Sequence, residues 1–193
     1  DVFVAGASTG GTISGVGRFL KKATEDHVRI VLADPLSSGI RNAIETGNWD
    51  GPEGQKATEI EGIGKNNHVE CMDLKVVDQV IRVCDQDAFL TARRMAREAG
   101  LLCGLSSGAN VWAALQVAEQ VTEKTRIVTI LPDGGVKYMS KLFDDEWLIS
   151  KGVLTAEDLA GEISRKESGC TPVGYEHLLE TATLEKLAFI ESE

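Results

Sequence analysis

The residues best placed to do chemistry lie within the first dozen positions. Gly6-Ala7-Ser8-Thr9-Gly10-Gly11-Thr12 follows the apolar run Val2 to Ala5 and precedes a segment of helical period. A glycine-rich turn between a strand and a helix presents main-chain N–H groups at the positive end of the helix dipole, which makes an anion site. The hydroxyls of Ser8, Thr9 and Thr12 add donors, so neutral hydrogen bonds suffice to hold a phosphate monoester there without a lysine. A Walker A loop is excluded, because Gly11 is followed by Thr12-Ile13 and not by Lys-Ser/Thr. A dinucleotide fingerprint would need glycine where Ser8 stands, although Asp34, ending the next apolar run, occupies the place of a ribose-binding acid. Taken alone, the segment also fits a tight turn that binds nothing.

Three further segments carry polar groups at the ends of apolar runs. Gly100-Leu101-Leu102-Cys103-Gly104-Leu105-Ser106-Ser107-Gly108-Ala109 passes from a helix end through a strand-like run to a helix start, where Ser106 or Ser107 is placed to cap a helix from Ala109. Glu61-Gly62-Ile63-Gly64 lies in a polar, glycine-rich stretch and reads by itself as a turn. Leu131-Pro132-Asp133-Gly134-Gly135 follows a strand-like run, with Asp133 either facing a ligand or capping the next helix.

The elements that must position these groups follow from periodicity. Strands are predicted at 2–5, 28–33, 79–84, 101–105 and 126–131, and helices at 10–22, 86–99 and 109–121, with Asp85 capping the second helix and Gly100 ending it. Alternating strands and helices predict an α/β fold: a largely parallel sheet with helices on both faces, in three layers. Pro35 to Asn67 reads as one long functional loop. An α/β domain is expected over 1–152, the part that would bind any cofactor, followed by an acidic helical extension over 153–193, whose pattern weakens after Arg165.

A formal charge of −10, from 30 acidic and 20 basic residues, leaves no broad basic surface for nucleic acid or anionic lipid. No apolar run reaches the roughly 18 residues of a membrane span. A soluble cytoplasmic protein is expected, with an organellar location open. Cys71, Cys84, Cys103 and Cys170 are far apart, so no zinc or dithiol motif is predicted. Asp1 is followed at once by a strand-like run, from which absent upstream sequence is expected.

Together the four segments resemble the cysteine synthase and cystathionine β-synthase family, fold type II of the pyridoxal phosphate enzymes. Ser8 to Gly15 is similar to that family's Gly-Thr-Gly-Gly-Thr-Ile-Thr-Gly phosphate loop, with Ser8 in place of the first glycine. Residues 100–109 resemble its Gly-Leu-Leu-x-Gly-x-Ser-Ser/Ala-Gly segment, residues 61–64 its Gln/Glu-Gly-Ile-Gly, and residues 131–140 its Leu-Pro-Asp-x-Gly-x-x-Tyr-Leu/Met-Ser/Thr. The resemblance implies pyridoxal 5′-phosphate as cofactor, with Ser8, Thr9, Gly10, Gly11 and Thr12 at its phosphate and Ser106 at its pyridine nitrogen. It further implies Gly62 and Gly64 in a loop beside the substrate, Asp133 as a possible site residue, and no metal.

The implied reaction is β-replacement on serine or O-acetylserine by sulfide to give cysteine, with serine and homocysteine giving cystathionine as the alternative. Glu61 and the stretch from Trp147 to Leu154 look closer to the latter type, Asp34-Pro35 and Asp133-Gly134-Gly135 to the former, which is preferred. The family's Schiff-base lysine and an upstream asparagine have no counterpart here, so the expectation is an incomplete large domain carrying no catalytic lysine and inactive alone. A partner is then expected, either the family's N-terminal half or a complementing chain, in a homodimer. A non-catalytic assembly module is the competing reading.

Overall fold

Val2, Val4, Val31 and Ala33 belong to one apolar core while Phe3, Ala5, Ile30 and Leu32 belong to another. That alternation is the period-two signature of strands buried on both faces, and it fixes the architecture. The computed structural model describes residues 1–122, 124–159 and 187–189. Its sheet is wholly parallel, with strands β1 (Val2–Gly6), β2 (Arg29–Pro35), β3 (Gln79–Val83), β4 (Ile127–Thr129) and β5 (Leu187–Phe189) in the order β3-β2-β1-β4-β5. Parallel neighbours need crossovers, and helices supply them. Helix α1 (Gly11–Ala23), between β1 and β2, contributes Ile13 to the second core; helix α2 (Ile40–Thr46) adds Ile40 on the same side. Helices α3 (Asp85–Ala99) and α4 (Leu105–Gln120) cover the opposite face, where Phe89, Met95, Leu105 and Val111 are buried. Helices α5 (Asp145–Ser150) and α6 (Ala156–Leu159) follow, with Leu148 and Leu154 packed into the α3–α4 side.

The three-layer α/β reading holds, and several boundaries change. No strand forms at 101–105. Cys103 makes a single antiparallel bridge to Gly134, and α4 begins at Leu105 with Gly104 as its extended N-cap. Ser106 and Ser107 therefore sit inside the first turn of α4 and do not cap it. Asp85 is likewise inside α3, whose N-cap is Cys84; its carboxylate accepts from Thr58 Oγ1 and from the Glu59 N–H at 2.8 Å, tying the long loop to the helix. Asp133 does not cap the 3-10 turn at Gly135–Tyr138, whose N-cap is Gly134. The loop from Pro35 contains α2, which the sequence reading omitted. Within 153–193, the described residues hold α6 and the strand β5, which flanks β4; the weak pattern after Arg165 lies outside the described residues until Leu187.

Candidate functional site

The sheet reverses direction at β1: the chain moves from β1 outward to β2 and β3, then returns to place β4 on the other flank. Open α/β sheets bind ligands at such a switch point, outside the strands' carboxyl ends. A cavity of about 370 Å³ lies there, within the range of small-molecule sites. It is lined by Gly6 through Ile13, by Glu61, Gly62 and Ile63, by Ser106 and Asn110, and by Ile130, Pro132, Asp133, Lys137 and Tyr138.

The turn at one wall is built from its backbone. Gly10, at φ 77°, is the N-cap of α1, and a Cβ there would lie 2.4 Å from Met72 Cβ, so both conformation and space call for glycine. No acidic side chain occupies the first turn of α1, whose leading N–H groups have no intrahelical acceptor. Met72 packs beneath the turn, and the exposed Cys71 thiol donates to the Thr9 carbonyl at 2.8 Å. Gly64 stands outside the lining; its N–H donates to Ala7 O at 2.7 Å and so fastens the 61–64 loop to the turn, while Gly62 reaches the cavity. Glu61, in the lining, pairs with Lys141.

Opposite the turn, Ser106 is 4% exposed and reaches the cavity from the first turn of α4. Asn110, one helical turn on, lines it too and is 1% exposed. At the end of β4, Asp133 Oδ2 accepts from Tyr138 Oη at 2.9 Å and pairs with Lys137 Nζ at 2.5 Å, while its Oδ1 is buried without a partner. The Asp133 hydrogen bond raises the Lys137 pKa, so this ammonium stays charged. Burial, reinforced by Asp133, raises the Tyr138 pKa, so the phenol keeps its proton. Asp34 is elsewhere: its carboxylate is fully buried against Arg82 Nη1 at 2.7 Å, and the candidate ribose-binding acid is not part of this cavity's lining.

The fold thus brings Ser8, Thr9, Gly10, Gly11, Thr12, Gly62, Ser106 and Asp133 around one space and leaves Gly64 behind it. Sequence reasoning missed Asn110 and Tyr138, and gave Lys137 no role. The four-residue step from Ser106 to Asn110 becomes a signal only once the helix starts at Leu105, because it then places both on one helix face.

Residues 1–133 match the family described as pyridoxal-phosphate dependent enzyme. The chain belongs to that family. It is 40% identical over 154 residues to cystathionine beta-synthase from Apis mellifera, a match covering 80% of this chain and 29% of that protein. It is 43% identical over 140 residues to cysteine synthase B from Campylobacter jejuni, covering 72% of this chain and 43% of that one. Among solved structures, the O-acetylserine dependent cystathionine beta-synthase from Helicobacter pylori superposes with a TM-score of 0.61 at 35% identity, covering 72% of this chain and 42% of that chain. The chain spans less than half the length of each of these relatives. The resemblance to the cysteine synthase and cystathionine β-synthase family is borne out, as is the fold type II assignment, and members of this family depend on pyridoxal phosphate.

The residues present fit that cofactor. A phosphate finds unpaired N–H groups and three hydroxyls at the α1 terminus, and a ring reaching across the cavity finds a buried serine.

Proposed function

We propose that this chain is the phosphate-binding portion of an enzyme for β-replacement on serine or O-acetylserine. Ser8, Thr9 and Thr12, with the amides of Gly10 and Gly11, hold the cofactor phosphate; Ser106 meets the pyridine nitrogen. Pyridoxal phosphate, when bound, supplies an electron sink for cleaving bonds at the substrate's α-carbon and releasing its β-substituent. A neutral hydroxyl at the ring nitrogen does not stabilise a ring proton as a carboxylate would, which favours elimination and replacement over transamination. Tyr138, which keeps its proton and donates to Asp133, holds that carboxylate at the wall. The observation that carries the reading is that the glycine turn and Ser106 share one cavity.

The nucleophilic lysine comes from outside this sequence. Among the described residues Lys137 is the lysine that lines the cavity, and its side chain is 61% exposed and held as an ammonium by Asp133. A Schiff-base lysine needs a neutral, desolvated amine. Catalysis therefore calls for a complementing segment, in a dimeric, cytoplasmic assembly of the family's kind. Sulfide is the favoured acceptor, with homocysteine the second reading, since the relatives named include both enzyme types.

The test is binding by the chain of 4′-deoxypyridoxine 5′-phosphate, which lacks the aldehyde, against pyridoxine and against a dinucleotide. The reading expects binding of the first alone. Preferential binding of the dinucleotide, or borohydride trapping of pyridoxal phosphate on Lys137 in this chain alone, would reject it.

A further inference from the structure

The backbone ladder between β1 and β4 runs from Val2 opposite Ile127 to Val4 opposite Thr129 and then stops. On the other flank, β1 stays paired with β2 as far as Gly6 opposite Ala33. Beyond Val4 the central strand and β4 therefore part, and the cavity opens between them. Parting two buried strands strands their polar groups, each worth about 1–3 kcal/mol when left without a partner.

Asn110 occupies the gap. Its Oδ1 accepts from the Gly6 N–H at 2.6 Å, and its Nδ2 donates to the Ile130 carbonyl at 2.9 Å. Gly6 can only donate and the Ile130 carbonyl can only accept, so the chemistry fixes which end of the amide faces which strand. A carboxamide carries the same donor and acceptor as a peptide group, and this one serves as the next rung between β1 and β4. Because it comes from a helix and not from a strand, it satisfies both backbone groups while leaving the crevice open. Position 6 calls for glycine, since a Cβ there would lie 2.6 Å from Ile63 Cγ2 and 3.2 Å from Asn110 Oδ1.

Gly6 begins the phosphate turn, and Ser106 lies one helical turn before Asn110 on α4. We infer that Asn110 is a positioning residue that sets the span between the phosphate turn and the ring-facing serine, so that one small molecule engages both. The inference rests on the proposed function. A second side-chain link between the same strands, Thr129 Oγ1 donating to Val4 O at 2.9 Å, lies outside the cavity and provides a control of equal chemistry.

The experiment titrates 4′-deoxypyridoxine 5′-phosphate into the 193-residue chain and into Asn110→Leu, Ser106→Ala, their double variant and Thr129→Val, with thermal melting of each. Asn110→Leu keeps the branched heavy-atom skeleton and removes both hydrogen bonds; it should weaken binding by about tenfold or more, by loss of a buried pair of bonds. Ser106→Ala should weaken binding several-fold in the unaltered background and have no further effect beside Asn110→Leu, because the two residues act on one span. Thr129→Val should lower the melting temperature and leave affinity within about twofold. Simple additivity of the Asn110 and Ser106 losses, or an equal loss of affinity in Thr129→Val, would overturn the inference. If Asn110→Leu does not fold, the unaltered chain decides: saturation with the probe should shift the Gly6 amide and Asn110 side-chain resonances, and unmoved resonances count against the role. Absence of probe binding by the unaltered chain would remove the proposed function and this inference together, whereas binding that survives Asn110→Leu unchanged removes the inference alone.

Discussion

Two halves of the sheet's carboxyl edge handle buried polar groups in opposite ways. At the ends of β2 and β3, Asp34 and Arg82 close on each other, and Arg82 also donates to the Leu36 and Ser38 carbonyls, so the loop after β2 is stitched to the strands. At the ends of β1 and β4 the edge is open: the leading N–H groups of α1 have no intrahelical acceptor, Asp133 and its exposed partner Lys137 stand at the wall, and a cavity lies between. Both halves carry an aspartate at a strand end, the residue type and place where a ligand contact would be sought. Each is paired with a cation, Asp34 with Arg82 and Asp133 with Lys137, so what separates them is access: Asp34 is fully buried, whereas Asp133 and its exposed lysine line the cavity. Where the pair is buried, the aspartate is architecture; where it faces open space, the edge is a site.

The largest test attacks the closed half. Arg82→Leu leaves Asp34 buried without its cation, which should destabilise the chain by about 3–5 kcal/mol, read as a lowered urea midpoint. Burial raises the Asp34 pKa above its ordinary 3.8, against the opposing pull of Ser38 and Arg82. The folded state then keeps a proton that the unfolded chain has already released. Its contribution to stability is complete below the unfolded value and is lost as pH rises through the folded one. Removing Arg82 moves the folded value further up and widens that window. The deficit of Arg82→Leu should therefore shrink as pH falls from about 7 toward about 4. A deficit constant across that range would mean that Asp34 is not ionised opposite Arg82, and the closed half would then not be held by a buried ion pair.

Gly10→Ala attacks the open half. An alanine at positive φ costs about 1–2 kcal/mol, and its Cβ meets Met72, so the turn must shift. Binding of 4′-deoxypyridoxine 5′-phosphate should fall by more than about tenfold, beyond what the loss of stability alone produces. Retained affinity would show that the turn is only a connection. Ser106→Ala should act less, losing affinity several-fold with a stability change within about 1 kcal/mol, since the hydroxyl faces a cavity and not a packed neighbour. An equal effect on melting and on binding would return Ser106 to the structural half.

Much of the open half was legible in sequence because its signals are local. The glycine turn, α1 and the end of α3 at Gly100 depend on a few neighbouring residues, and those elements fall within one residue of expectation. The run Leu101 to Leu105 misled for a physical reason. A short apolar stretch reads alike as a buried strand or a buried helix start, and α4 is buried on nearly every side from Leu105 to Val117. With helix and strand confused there, Ser106 was placed before the helix, and its one-turn relation to Asn110 was hidden. Tyr138 and Lys137 meet Asp133 through a 3-10 turn, which leaves no periodic trace. The pairing of β5 with β4 depends on a contact between distant segments and could not be read locally. Nor could the fate of Asp34, because only the fold sets Arg82 beside it.

The smallest expected effect lies at the rim where the open half is partly closed. Glu61, which lines the cavity, pairs with Lys141 beyond the 3-10 turn, both half-exposed, and so ties the 61–64 loop to the segment after β4. An exposed pair of this kind contributes about 0–1 kcal/mol and is weakened by salt. Lys141→Met should therefore leave equilibrium affinity for the probe within about threefold and chiefly speed its dissociation, because a released loop no longer covers the ligand. The difference should fade at about 0.5 M salt, where the unaltered pair is itself screened. Dissociation rates that differ equally at low and high salt would locate the effect in packing of the lysine stem, and the loop would then belong with the stitched half of the edge.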